Sequence, residues 1–141
     1  MGFEVNDFID RKIAGMGMML QFKTVPDLVG KAKNKQYWKD RSGHARQLIN
    51  GGLDIGNHEF NLYLAHGTEY GGWLEEGTGI YGPTKRPIVP VKAKILSWLD
   101  EDGKRHYAKK VNGIKPRPAL KDTLEENKES IMNQIENYWS E

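Results

Sequence analysis

The chain has 141 residues, enough for one hydrophobic core of ordinary domain size. It is 38% apolar and 28% charged, with a mean hydropathy of -0.70, 16 glycines and no cysteine, so disulfides, a thiol nucleophile and cysteine-ligated metals are excluded. The 4 Trp, 6 Tyr and 4 Phe argue against wholesale disorder, and no apolar run approaches the roughly 18 residues of a membrane span. Glu4, Asp7 and Asp10, without a basic or a continuous apolar stretch, do not read as a signal peptide.

The net charge of +2 is segregated along the chain: -1 over residues 1–22, +5 over 23–46, -5 over 47–84, +7 over 85–117 and -4 over 118–141. A nucleic-acid binder concentrates positive charge, whereas alternating blocks of opposite sign can match between copies of one protein.

Val5, Ile9, Ile13, Met16 and Leu20 recur at helical spacing and predict an amphipathic helix over 5–22. Gly15 and Gly17 weaken it or mark close packing, and Pro26 predicts an interruption or kink. A lysine-rich second helix is expected from about Asp27 to Lys39. Ser42 can cap a short helix over 43–49, stopped by Asn50-Gly51-Gly52. Phe60, Leu62 and Leu64 alternate with Asn61, Tyr63 and Ala65, which predicts a half-buried strand over 57–66.

A turn at Gly67-Thr68 leads to a short strand or helical turn over Tyr70–Glu76, then to a Gly/Pro-rich loop over 77–87. Ile88–Val91 reads as extended. Apolar-aromatic runs at 94–99 and 104–111 flank an Asp-Gly turn and predict a hairpin. After Pro118, Leu120, Leu124, Ile131, Ile135 and Tyr138 mark a long amphipathic helix, with Asp122, Glu125 and Glu126 suited to its positive end. The expected class is α+β: one domain over 1–141, a small antiparallel sheet, an N-terminal helix and a long C-terminal helix.

No constellation for chemistry stands out. His58 and His66 share a strand face but would lie roughly 26 Å apart. Asp40, Ser42 and His44 crowd locally, unlike a triad assembled in space. Gly77-Thr78-Gly79 lacks the full phosphate-loop pattern. Catalytic, cofactor-binding and metal residues are therefore expected to be none, and the chain is read as not an enzyme. Lys104, Arg105, Lys109, Lys110, Lys115 and Arg117, with Tyr107 among them, could touch nucleic acid without sequence preference, or could simply be the solvent face of a hairpin.

Three ordered segments carry a family likeness. They are Asp40-Arg41-Ser42-Gly43-His44-Ala45-Arg46-Gln47-Leu48-Ile49, Tyr70-Gly71-Gly72-Trp73-Leu74-Glu75-Glu76-Gly77-Thr78 and Ile114-Lys115-Pro116-Arg117-Pro118-Ala119-Leu120. In this order and spacing the chain, over about residues 35–141, resembles the tail-completion or neck proteins of long-tailed bacteriophages, also described as minor capsid or tail-component proteins. Ser42 stands where that family more usually has threonine, and Ala119 where it has a large aromatic.

The resemblance implies a structural protein of a phage or prophage virion, made in the host bacterial cytoplasm and placed at the head-tail junction. Its partners would be copies of itself in a ring, a hexamer among the candidate sizes, and neighbouring neck and tail proteins. Non-specific contact with packaged DNA is a further expectation, and a membrane is not expected. A tail terminator, a head-closure protein and a nucleic-acid-binding accessory protein are the alternatives. The motif and assembly candidates are Arg41, Ser42, Gly43, Arg46, Tyr70, Glu75, Gly77, Thr78, Arg117 and Pro118. In physical terms, Gly43 and Gly77 permit close backbone approach. Arg41, Arg46 and Arg117 can pair bidentately with Glu75 or Glu76, and Pro116 and Pro118 restrict entry into the last helix.

Overall fold

The computed structural model describes residues 4–35, 37, 44–57, 59–100 and 102–141. The chain forms two compact units: residues 1–67 with 119–141, and residues 68–118. Its elements are helices and antiparallel hairpins with a long helix at the C-terminal end, the α+β arrangement expected from the sequence.

The first unit begins with α1 (Val5–Met19), a π-helical turn (Leu20–Thr24) and α2 (Val25–Lys33). Leu20 and Val25 both keep right-handed helical dihedrals, so the three segments form one uninterrupted rod. Pro26 therefore does not break the helix. The Val25 N–H donates to the Leu20 carbonyl across the wider turn, and Pro26 enters within the first two positions of α2, where its missing N–H costs little. α2 ends at Lys33, short of the expected stretch to Lys39, and the Asn34 N–H closes it on the Gly30 carbonyl at 3.1 Å.

The predicted apolar face is buried only beyond α1, where Leu20 of the π-helical turn is 4% exposed, whereas Val5 at the start of α1 is 56% exposed. The glycines of α1 mark close packing. A methyl group on Gly15 would stand 2.2 Å from the Tyr138 hydroxyl, and one on Gly17 would stand 3.1 Å from the Phe60 ring.

Strands β1 (Asn50–Gly56) and β2 (Glu59–Ala65) form an antiparallel hairpin in which Gly52 opposes Tyr63 and Ile55 opposes Phe60. The Asn50-Gly51-Gly52 stretch, expected to act as a helix stop, is thus the start of a strand. Tyr63 is the physical reason. Its ring lies across Gly52, where an added methyl would meet the hydroxyl at 2.5 Å, so an aromatic side chain covers the backbone that glycine leaves bare. Gly51, Leu53, Ile55, Phe60, Leu62 and Leu64 share one face of the hairpin.

Helix α5 (Ala119–Ser140) runs antiparallel to the rod. Thr24 Oγ1 donates to Gln134 Oε1 at 2.7 Å, and Lys31 Nζ donates to Asn127 Oδ1 at 2.9 Å. Lys35 donates to Glu126, and the Tyr37 hydroxyl donates to Asp122 at 2.6 Å. The bond to Glu126 raises the Lys35 pKa, and the bond to Asp122 raises that of Tyr37. Leu28 and Ala32 are each 1% exposed and anchor the core of this unit. Burying a leucine as fully as Leu28 contributes about 1.5–3 kcal/mol. Thr123, also fully buried, satisfies its hydroxyl on the Ala119 carbonyl one turn back, at 2.6 Å.

The second unit holds α4 (Glu69–Glu76), a 3-10 turn (Gly79–Tyr81), β3 (Leu96–Leu99) and β4 (Arg105–Ala108). β3 and β4 form the hairpin predicted around Asp-Gly, with Trp98 opposite His106, and Ile88 and Val111 form a separate bridge. Asp100 organises the hairpin turn. Its Oδ1 accepts from the Asp102 and Lys104 N–H groups at 2.9 and 2.8 Å, and its Oδ2 meets His106 Nε2 at 2.7 Å. Gly103, with φ 80°, supplies the left-handed position of the turn.

Candidate functional site

The second and third motif segments meet inside residues 68–118. Thr68 caps α4: its side chain accepts from the Gly71 N–H at 3.0 Å, which selects helix over strand for residues 69–76. Gly71 and Leu74 are buried, while Tyr70 and Trp73, one turn apart, are 47% and 50% exposed. This gives α4 an aromatic outer face.

Gly77 ends the helix at φ 82°, and its N–H returns to the Trp73 carbonyl at 2.8 Å. The chain then lies directly on residues 112–114. The Thr78 N–H donates to the Ile114 carbonyl, the Thr78 hydroxyl accepts from the Ile114 N–H, and the Ile80 N–H donates to the Asn112 carbonyl, at 2.9, 2.9 and 2.8 Å. An added methyl on Gly79 would stand 2.1 Å from the Asn112 carbonyl oxygen, and one on Gly113 would stand 2.2 Å from that of Thr78. Two glycines with φ 63° and 103° thus allow main chain to pack on main chain.

The Arg117 N–H closes the same junction on the Leu74 carbonyl at 2.6 Å. Pro116 lies against Gly77, where a methyl would meet its Cδ at 2.9 Å. The Lys115 ammonium sits 5.7 Å from the Tyr81 ring centroid.

The structure thus joins Gly77 and Thr78 to the segment that holds Arg117, mostly through backbone. Arg117 acts there by its N–H, and its side chain is exposed. Pro118 is half-buried immediately before α5. Glu75 is half-buried on α4. Arg46 lies half-buried on the short helix α3 (His44–Gln47), in the other unit. Arg41, Ser42 and Gly43 lie outside the described residues, as do Asp40 and His58.

The reach of Thr78 to Ile114 across 36 residues could not be read from either segment alone. The paired glycines at 77, 79 and 113 were the available signal, because each marks a backbone position that a side chain would obstruct. Among the described residues, no group of three or more His, Asp or Glu is placed to hold a metal ion, and no helix is long and apolar enough to cross a membrane. Comparison of the chain with protein-family models, curated proteins and solved structures found no match.

Proposed function

We propose that the protein is a structural component of a tailed phage or prophage virion. It acts in head-tail joining or tail completion by assembling with copies of itself into a ring. The observation that carries this reading is the junction of Leu74 and Thr78 with Arg117 and Ile114. Residues from two of the three motif segments that resemble neck proteins form one backbone-locked unit, with the Tyr70 and Trp73 aromatics and the Arg117 side chain facing solvent. A helix and a backbone-locked turn that present exposed aromatics and an arginine suit protein-protein contact, since such side chains dominate interface energetics.

The +7 segment over residues 85–117 favours non-specific contact with packaged DNA as a second reading. Salt-dependent DNA binding that is lost when Lys109 and Lys110 are reversed in charge would support it.

Deletion and complementation test the main reading. A phage lacking the gene should accumulate filled heads and finished tails that do not join, and the wild-type gene should restore joined particles. Normal particles without the gene would overturn the assignment.

A further inference from the structure

All three acids between Gly77 and Pro118 stand together at Asp100-Glu101-Asp102, between β3 and β4. Lys104 and Arg105 follow them, so the turn end of the hairpin is close to balanced. The positive charge of this unit lies elsewhere, on acid-free chain: Lys85, Arg86, Lys92 and Lys94 before the hairpin, and Lys109 and Lys110 after it.

Two pairings bring these runs together within residues 68–118. Ile88 and Val111 exchange both backbone bonds, at 2.8 and 3.0 Å, and Leu96 pairs with Ala108. The anchors lie three residues apart on one side and eight apart on the other, so residues 89–95 bow out as a loop from the Ala108–Val111 stretch. Val91, 94% exposed, marks how far the loop projects. Lys94 is two residues from its nearer anchor and Lys92 is four, which keeps their backbones within roughly 7 and 14 Å of it. Lys109 and Lys110 sit between the same two anchors.

All six of these basic side chains are exposed, and among the described residues none has an ion-pair partner. Lys85 closes a turn with its N–H on the Gly82 carbonyl at 3.2 Å, at φ 58°, a left-handed position that glycine would fill without strain. Five of the six are lysines. A carboxylate partner favours the planar fork of arginine, whereas compact ammonium groups on long stems suit a dense row of phosphates. Residues 82–99 and 108–111 contain no Asn or Gln, the side chains that pair with adenine edges.

We infer that the 89–95 loop and the adjoining Lys109-Lys110 form a surface that binds the phosphate backbone of duplex DNA without reading its sequence, extended by Lys85 and Arg86. The inference rests on the DNA-contact reading above and deepens it by naming the site, which lies at the open end of the β3–β4 hairpin and not at its Asp-Gly turn.

The test measures binding of the full chain to two fluorescent DNA duplexes of unrelated sequence, by anisotropy from about 50 to 200 mM salt. Lys92→Gln/Lys94→Gln and Lys109→Gln/Lys110→Gln each remove two charges from the surface, and Lys104→Gln/Arg105→Gln removes two from the turn end. All of these positions are exposed, so the variants should fold; circular dichroism checks this. The wild-type chain should bind both duplexes alike, with a slope of about -4 to -5 in log affinity against log salt. Each surface pair should weaken binding roughly tenfold at the lowest salt and make the slope shallower by about 2. The turn-end pair should stay within about twofold of wild type, with the slope unchanged.

A folded wild-type chain that binds neither duplex would overturn the surface and the DNA-contact reading together. A turn-end variant that loses as much as the surface variants would overturn the surface alone and leave the DNA contact spread over residues 85–117. Strong preference for one duplex would overturn the backbone-only contact. Fluorescent poly-glutamate that binds more tightly than either duplex would overturn the choice of DNA and indicate an acidic protein partner. The deletion experiment reads the virion role independently of all four.

Discussion

Thr78 grips Ile114 twice, donating its N–H to the Ile114 carbonyl and accepting the Ile114 N–H on its hydroxyl, both at 2.9 Å. This small ring ties the chain after α4 to the segment leading into α5. Replacing Thr78 with Val keeps the shape and removes the acceptor, leaving the partly buried Ile114 N–H unpaired. A loss of about 1–3 kcal/mol is expected in chemical denaturation. Thr78→Ser should retain most of that stability, and equal losses for both variants would show that shape, not the bond, matters.

Backbone packing at Gly79 and Gly113 sets a second expectation. Gly79→Ala and Gly113→Ala each combine a positive φ with a methyl driven into a carbonyl, of Asn112 and Thr78 in turn, and each should cost about 2–4 kcal/mol. Gly30 and Gly72 sit in helices with nothing within 4 Å of an added methyl, so alanine there should be neutral or stabilising by up to about 1 kcal/mol. Thermal melts of the four alanine variants check the contrast.

The hairpin turn should respond to acid. His106 first, and then the Lys104 N–H, hold the Asp100 carboxyl below its ordinary value of 3.8. A depressed carboxylate pKa contributes stability that is complete above the unfolded value. That stability is lost as pH falls through the lower folded value. The Trp98 ring stacks on His106 with centroids 5.6 Å apart, on the strands that flank the turn. Backbone NMR signals of Asp102 and Lys104, whose N–H groups bond Asp100, should keep their hairpin shifts at pH 5 and lose them only below about pH 4. In Asp100→Asn this acid-dependent component should be absent.

Arg117 separates folding from assembly. Its structural bond is the backbone N–H, which alanine retains, and its side chain is exposed. Arg117→Ala should leave stability within about 0.5 kcal/mol of wild type and still reduce incorporation into virions. Lys33→Ala should leave incorporation unchanged. Equal incorporation of the two variants would remove Arg117 from the assembly surface.

The legible parts of the fold were those governed by local periodicity. α5, β2 and the β3–β4 hairpin follow from Leu120 to Tyr138, from Phe60 to Leu64, and from Asp-Gly between apolar runs. The missed parts depend on residues distant in sequence. β1 looks like a stop because Asn50-Gly51-Gly52 lacks strand-forming side chains, and only Tyr63 lying over Gly52 makes it a strand. Pro26 looks like a break because the sequence does not announce the π turn that admits it. The choice between helix and strand for residues 69–76 turned on the single Thr68 cap. For the candidate site, Gly77 pointed to close approach, but not to the segment that approaches, and Gly79 and Gly113 read only as parts of a loop and a turn.

The placement of α5 has a consequence for the order in which the chain acquires structure. Residues 68–118 form one contiguous unit that can close as soon as they leave the ribosome. The other unit spans a gap: Thr24 bonds Gln134 across 110 residues, and α2 packs against a helix that starts at Ala119. Leu28 and Ala32 therefore stay without part of their cover until α5 has been synthesised. During synthesis, residues 1–67 emerge before residues 68–118 yet complete their unit after them.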